Sequence, residues 1–283
     1  MSVIGADLGG TNFRAGLVSD GALAKTACAA IDGGAPMEKV LAELYRLIDG
    51  FAAPGLEGIG VGCPSLVDLV EGIIYDTTNI PSWKEVPLKS LLEKRYRVPV
   101  RVDNDANCFV VGEKHFGKAK DFSSAVGLIM GTGLGAGLIL NNRLYSGRNC
   151  GAGEFGMLPY LDGNFEDYCC GRFFMGRGTS GKEAFALARA GDASARALFS
   201  EFGRHVGEVV KAVLYALDPE LIIFGGSVSK AHEFFFPAIR ESLKSFGYTR
   251  ALARLHIEVS ETDNIAILGA AALYYDSREG GTL

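Results

Sequence analysis

Three glycine turns and a handful of carboxylates in this chain have the residue types and spacing for phosphate chemistry. Gly9-Gly10-Thr11, within GADLGGTNFRAGLV (5–18), and Gly131-Thr132-Gly133, within AVGLIMGTGLGAGLIL (125–140), each follow an apolar run and lead into another. Glycine lets backbone N–H groups approach a ligand closely. Successive N–H groups in such a turn form an anion-binding nest, and threonine adds a hydroxyl donor. Either turn alone reads as an ordinary tight hairpin. Two of them with threonine in both, plus Gly225-Gly226 at the end of a further apolar run, point to a nucleotide phosphate cradle. Asp7 and Asn12 flank the first turn. A carboxylate at Asp7 suits Mg²⁺ held through water, because that ion keeps much of its hydration shell; the plain alternative is a turn-stabilising Asx residue. In VDNDAN (102–107), Asp105 follows a short strand at the start of a helix. With Asp103 or Asn104 available as the helix cap, Asp105 is spare for general-base chemistry. Asp103 and Asp105 could also form a D-x-D metal pair, a motif too short to carry an assignment. Glu154, in GAGEFG (151–156), is an acid among small residues and suits a cleft.

Other chemistries lack their residues. GEKHFGKA (112–119) and GRGTSGKE (176–183) come close to a P-loop, but both lack the final hydroxyl that would hold Mg²⁺ and neither follows a predicted strand. GTGLGAG lacks the dinucleotide-binding spacing and leads into a strand rather than a helix. No G-x-S-x-G elbow is present, which argues against an acyl hydrolase. His115, His205, His232 and His256 stand alone and read as surface or satisfied core residues. Cys169-Cys170 is a vicinal pair with no C-x-x-C partner.

The elements that must position these residues follow from periodicity and turn chemistry. VIGADLGG, NFRAGLVS and ALAKTACAAI read as three strands, with Ser19-Asp20-Gly21 as a hairpin signal. Val40, Leu41, Leu44, Leu47 and Ile48 fall at helical spacing within 36–51. LEGIGVGCP is a buried strand, and 98–102 is a short strand running into the helix that carries Asp105. The stretch from Ser123 repeats the layout of residues 3–27: strand, Gly/Thr turn, strand, polar turn at Asn141-Asn142, strand. That echo suggests a duplicated supersecondary unit. A long helix over 194–217 stops at Asp218-Pro219, LIIFGGSVS is a buried strand, and 264–276 is a closing helix. The 283 residues suit one large or two medium domains, and at 48% hydrophobic and 22% charged they can bury a core. A net charge of −5 with no Lys/Arg cluster argues against nucleic acid as a partner. The longest apolar stretch is too short and glycine-rich to span a membrane. Six cysteines without a visible signal peptide read as reduced thiols of a cytoplasmic protein.

Taken in order, DLGGTN (7–12), GCP followed by TTNIPSW (62–83), VDNDAN (102–107), GLIMGTGLGAGLIL (127–140), GAGEFG (151–156) and DPELIIFGGSVS (218–229) resemble the ROK family of sugar kinases and repressors. That family lies in the actin-like ATPase superfamily, and the resemblance covers nearly the whole chain. It implies an α/β, two-lobed actin-like (ribonuclease H-like) ATPase fold with a cleft between lobes. One lobe would be 1–115 with 263–283 returning, the other 116–262. It also implies ATP and Mg²⁺ as cofactors, a small-molecule sugar as partner, and a homodimer. Asp7, Gly9, Gly10, Thr11 and Asn12 would form the first phosphate turn, with Asp7 near the Mg²⁺. Gly131, Thr132 and Gly133 would form the second, and Gly225 and Gly226 would lie at the adenosine. Asp105 matches the family's catalytic base, and Ser65, Asn79, Asn104 and Glu154 match its sugar contacts.

The chain departs from the family at one place. Members carry E-x-G-H and then C-x-C-G-x-x-G-C-x-E, whose histidine and cysteines bind a structural zinc and whose histidine and last glutamate touch the sugar. Here Met157 stands at the histidine position, Cys170-Gly171 remain, Tyr168 and Phe174 fall near the other cysteine positions, and Gly176 or Arg177 falls near the glutamate. No structural zinc is expected. Phe165, Tyr168, Phe173 and Phe174 are expected to order the segment by apolar packing instead. The leading expectation is a glucokinase-like kinase for a hexose or amino-hexose. The alternatives are a ROK repressor, against which only Met1 and Ser2 precede the first strand, and a sugar-binding regulator with weak or no kinase activity.

Overall fold

The computed structural model describes residues 2–77 and 79–278. The chain divides into two compact units: Met1–Asp121 with Gly137–Ala152 and Glu261–Leu283, and Phe122–Ala136 with Gly153–Ser260. The division expected at 115/116 and 262/263 differs from this chiefly by the segment Gly137–Ala152, which clusters with the first unit.

In the first unit, β1 (Ser2–Leu8), β2 (Asn12–Ser19), β3 (Ala22–Ala30), β4 (Leu56–Cys63) and β5 (Val100–Asn104) form one sheet in the order β3-β2-β1-β4-β5. The β1–β2 and β2–β3 pairs are antiparallel hairpins, and β1–β4 and β4–β5 are parallel. The β2–β3 hairpin turns through Asp20 and Gly21, both at positive φ (50° and 78°), as a two-residue turn matching strand twist requires. Helix α1 (Met37–Asp49) buries Val40, Leu41, Leu44, Leu47 and Ile48, the stripe its sequence period prescribes. Full burial stabilises each such side chain by about 1.5–3 kcal/mol relative to exposure. After α2 (Leu88–Tyr96) and β5, α3 (Asp105–Phe116) runs directly off the strand end. A small antiparallel sheet (Leu66–Asp68, Ile73–Tyr75, Glu85–Val86) lies between β4 and α2 in sequence.

In the second unit, β6 (Ala125–Met130) leads through Gly131–Gly133 into β7 (Leu134–Leu140), whose residues from Gly137 on, with the strand that follows, cluster with the first unit. The third strand of this block, β8 (Arg143–Leu144), is only two residues long, entered through Asn141 and Asn142, both at positive φ. Helices α4 (Phe165–Cys169), α5 (Gly171–Met175), α6 (Gly181–Arg189) and α7 (Ala193–Leu217) follow, then β9 (Leu221–Gly225), α8 (His232–Leu243) and β10 (His256–Val259). The sheet order is β8-β7-β6-β9-β10, the same neighbour order by chain position as the first sheet, as the echoed layout suggested. Helix α7 buries Phe199, Phe202, Val206, Val209, Val210 and Val213 and ends at Asp218, in a left-handed C-cap before Pro219. The last helix, α9 (Ile265–Arg278), returns to the first unit and packs on α3, β1 and β4. No helix among the described residues is long and apolar enough to cross a membrane.

Candidate active site

The parallel strands β1, β4 and β5 end together. Asp7 is paired in register with Gly62, and Gly62 with Asp103. Adjacent strands lie about 4.8 Å apart, so two strand spacings of about 10 Å separate Asp7 from the β5 end. Carboxyl ends of parallel strands are where α/β sheets commonly present ligand-binding groups. The first turn closes as Gly9 N–H donates to the Asn12 carbonyl at 3.0 Å, leaving Gly10 and exposed Thr11 at its tip. A Cβ at Gly10 would lie 2.5 Å from the Asn79 Cβ, so the turn needs glycine to sit against Asn79. Asp7 is 8% exposed, and its Oδ2 accepts from Arg14 Nε at 3.0 Å and Nη2 at 2.5 Å. The sequence reading had not paired Asp7 with Arg14, although the two face each other across the β1–β2 ladder.

At the β5–α3 junction the cap is Asn104: its Oδ1 accepts from Ala106 N–H at 2.8 Å, and its Nδ2 donates to the Ser65 carbonyl at 3.4 Å. Ser65 Oγ pairs with Thr77 Oγ1 at 3.0 Å. Asp105 is the first residue of α3 and is partly exposed. Asp103 is buried, and its carboxylate is taken up by donors from Asn104, Asn107, Ser146 and Cys150. With both oxygens engaged by these protein donors, Asp103 serves the fold rather than half of a D-x-D metal pair. Ser65, Asn104 and Asp105 therefore gather at one strand end, while Asn79 sits at the Gly10 turn.

In the second unit, β6 and β9 run parallel with Ile129 opposite Gly225, which puts the Gly131 and Gly226 turns at neighbouring strand ends. Gly226 has φ +87°, and a Cβ there would lie 2.4 Å or more from Met130 backbone atoms. The Gly131–Gly133 turn is held from one side by the α4–α5 segment. Gly171 N–H donates to the Gly131 carbonyl at 2.8 Å, the Cys170 thiol to the Thr132 carbonyl at 3.0 Å, and Leu134 N–H to Glu166 Oε2 at 3.0 Å. Glu166 is in turn paired with Arg172 at 2.9 Å. A cavity of about 510 Å³ opens beside this turn, with Gly131, Thr132, Lys182, Phe185, Ser227 and Val228 in its wall. Gly225 and Gly226 shape the strand end behind it, and it is the following residues that line it. The sequence reading missed Lys182, Phe185 and Ser227. Lys182 lies in the near-P-loop stretch GRGTSGKE, whose Gly-Lys was the available signal.

Glu154 precedes a short 3-10 turn, Phe155–Met157. Its carboxyl is raised above the ordinary range, first by partial burial and then by the charge of Glu166. Met157 is exposed. Downstream, Phe165, Phe173 and Phe174 are buried, Tyr160 stacks on Phe165 at 4.5 Å between ring centroids, and Tyr160 hydroxyl shares a 3.0 Å hydrogen bond with His205 Nδ1. These residues do not fit a zinc site. Cys170 is engaged with backbone carbonyls of Thr132 and Glu166, and Cys150 with Asp103. No three His, Cys, Asp or Glu among the described residues are grouped to hold a metal ion.

The arrangement has relatives. The ROK family matches residues 3–277. A glucokinase from Thermotoga maritima is 29% identical over 318 aligned residues, covering 99% of each chain. A xylose repressor from Caldicellulosiruptor bescii is 28% identical over 280 residues, covering 85% of this chain and 69% of the repressor. The crystal structure of a ROK family glucokinase from Streptomyces griseus in complex with glucose and AMPPNP superposes with a TM-score of 0.81 at 28% identity, covering 99% of this chain and 100% of that one. With the match running from the first strand to the last helix, the chain belongs to the ROK family.

Proposed function

We propose that the protein is an ATP-dependent sugar kinase that phosphorylates a hydroxyl of a hexose or amino-hexose. The observation that carries this reading is the second unit's cavity of about 510 Å³ at the Gly131–Thr132 turn, a size suited to a nucleotide. The relatives support the same reading: a glucokinase in Thermotoga maritima, and a Streptomyces griseus glucokinase holding glucose and AMPPNP.

Asp105 is the base in this proposal. It accepts the proton of the sugar hydroxyl as that oxygen attacks the γ-phosphorus, while Asn104, Ser65, Asn79 and Glu154 hold neighbouring hydroxyls. Phosphoryl transfer asks a protein mainly for positioning and charge stabilisation. The Gly9–Asn12 and Gly131–Gly133 turns offer backbone N–H groups and threonine hydroxyls to phosphate oxygens. Asp7 fits Mg²⁺ held through water, since Arg14 engages Oδ2 and leaves Oδ1 outside that pair. When bound, the ion neutralises phosphate charge.

The test is a coupled assay with ATP and a panel of hexoses and amino-hexoses. Turnover on one of them is expected, and Asp105→Asn should lower kcat by about 100-fold or more with little change in sugar binding. Near-normal kcat in that variant would remove Asp105 from the role. The second reading, a sugar-binding regulator with weak or no kinase activity, is favoured by Met157 at the position where the family carries a sugar-contacting histidine. ATP binding without turnover on any sugar would select it.

A further inference from the structure

We propose that Asp103 is the positioning residue of this site: its buried carboxylate straps the Ser146–Cys150 segment onto the β5–α3 junction and so fixes Asn104 and Asp105 for the acceptor. The proposal rests on the reading of Asp105 as the base.

Four donors converge on one carboxylate. Oδ1 accepts from Asn104 N–H at 2.7 Å, Asn107 Nδ2 at 2.8 Å and Cys150 Sγ at 3.1 Å, and Oδ2 accepts from Ser146 Oγ at 2.9 Å. Asp103 is 5% exposed, so none of this is diluted by solvent. Two of the donors lie on either side of Asp105, one residue before it and two after. The carboxylate thus brackets the backbone of the base between the strand end and the first turn of α3. Helix capping does not account for Asp103, because Asn104 performs it.

The other two donors come from more than 40 residues away. Ala152 N–H donates to the Ser146 carbonyl at 3.2 Å and closes 146–152 into a loop. Within it Cys150 has φ +56°, a conformation an L-residue holds only when its surroundings over-determine it. Its thiol is packed among the buried apolar side chains of the first unit. Burial first, and the Asp103 charge next, push that thiol far above its usual range, which keeps it a protonated donor. Asn107 is oriented by the same carboxylate at a cost: its own Oδ1 is buried with no hydrogen-bond partner among the described residues. Removing the carboxylate leaves three buried side-chain donors and the half-buried Asn104 N–H without this acceptor.

The test uses the full chain with Asp103→Asn, Cys150→Ala and Cys150→Ser. Amide hydrogen exchange is followed in peptides covering 102–108 and 144–152, and steady-state kinetics are run with the sugar found in the panel. Asp103→Asn and Cys150→Ala should speed exchange in both peptides together by about tenfold or more, with the rest of the first unit unchanged. Both should lower kcat by about tenfold or more while the ATP KM moves less than about twofold. Cys150→Ser keeps a donor and should bring exchange and kcat back to within about threefold of the parent. Loosening in one peptide only would overturn the strap. Loosening in both with kcat unchanged in the folded protein would reduce Asp103 to a stability role. If the parent phosphorylates no sugar, the kinase reading fails and the positioning role falls with it, while exchange still decides whether the strap exists.

Discussion

Glu166 ends where a side chain at Gly133 would have to begin. A Cβ on Gly133 would overlap its Oε2, the same atom that accepts Leu134 N–H. The glycine is therefore explained by a protein carboxylate, where the turn's sequence had suggested only the approach of a phosphate. Gly131, by contrast, has open space where its Cβ would lie. A Cβ added at Gly133 would push the Glu166 carboxylate off the buried Leu134 N–H, and an orphaned buried donor costs about 1–3 kcal/mol, so Gly133→Ala should lose stability in that range and raise the ATP KM. Glu166→Ala should lose stability as well, by orphaning Leu134 N–H. Combined, the two should cost less than their sum by about 1 kcal/mol or more, because the second removes the clash the first creates. Denaturant unfolding of the four proteins measures this. Strict additivity would show that Glu166 is not what the glycine accommodates.

The segment from Met157 to Arg177 is held by aromatic packing. Tyr160 meets Phe165, Tyr168 and His205; Phe173 meets Phe174, Phe202 and His205; and Arg177 lies over the Phe173 ring at 3.8 Å. EDTA should leave the melting temperature unchanged, and metal analysis of purified protein should find zinc well below one equivalent. One tightly held zinc per chain would contradict this account. The same packing fixes a pH dependence. Burial is the largest influence on His205 and lowers its pKa; Glu201 opposes it, and Arg177 and Arg204 add to it. The unfolded chain then takes up the proton first, near the ordinary value of about 6.5. Stability is full above that value and is lost as pH falls from it toward the folded-state pKa. His205→Gln keeps a partner for the Tyr160 hydroxyl and removes the titration, so its stability should be flatter across that window. An unchanged slope in urea melts between pH 7 and pH 5 would clear His205 of the effect.

At the scale of the molecule, each compact unit carries a separable share of the candidate chemistry. Ser65, Asn104 and Asp105 belong to the first, and the cavity with Thr132, Lys182 and Ser227 belongs to the second. Filling that cavity should act on the nucleotide alone. Ser227→Tyr, at an exposed position in its wall, should raise the ATP KM by about tenfold or more and leave the sugar KM within about twofold. Equal effects on both constants would mean that the cavity is not the nucleotide's.

Whatever depends on neighbours a few residues apart was legible in the sequence. The Asp20-Gly21 and Asn141-Asn142 turns, the stripe of α1, the stop of the long helix at Asp218-Pro219 and the junction that exposes Asp105 all follow from local backbone preference and hydrophobic period. So does the echo of one strand layout in the other, which the two sheet orders repeat. Tertiary structure alone decided which of several equivalent groups does what. The sequence allowed either Asp103 or Asn104 as the cap. The choice fell to Asn104 because Ser146 and Cys150, 43 and 47 residues further on, bring their donors to Asp103. The sequence likewise could not show Glu166 reaching Leu134 across 32 residues, or the cavity wall assembled from Thr132, Lys182 and Ser227. Such contacts form only after the sheets have fixed where distant segments return, and no spacing along the chain encodes that distance.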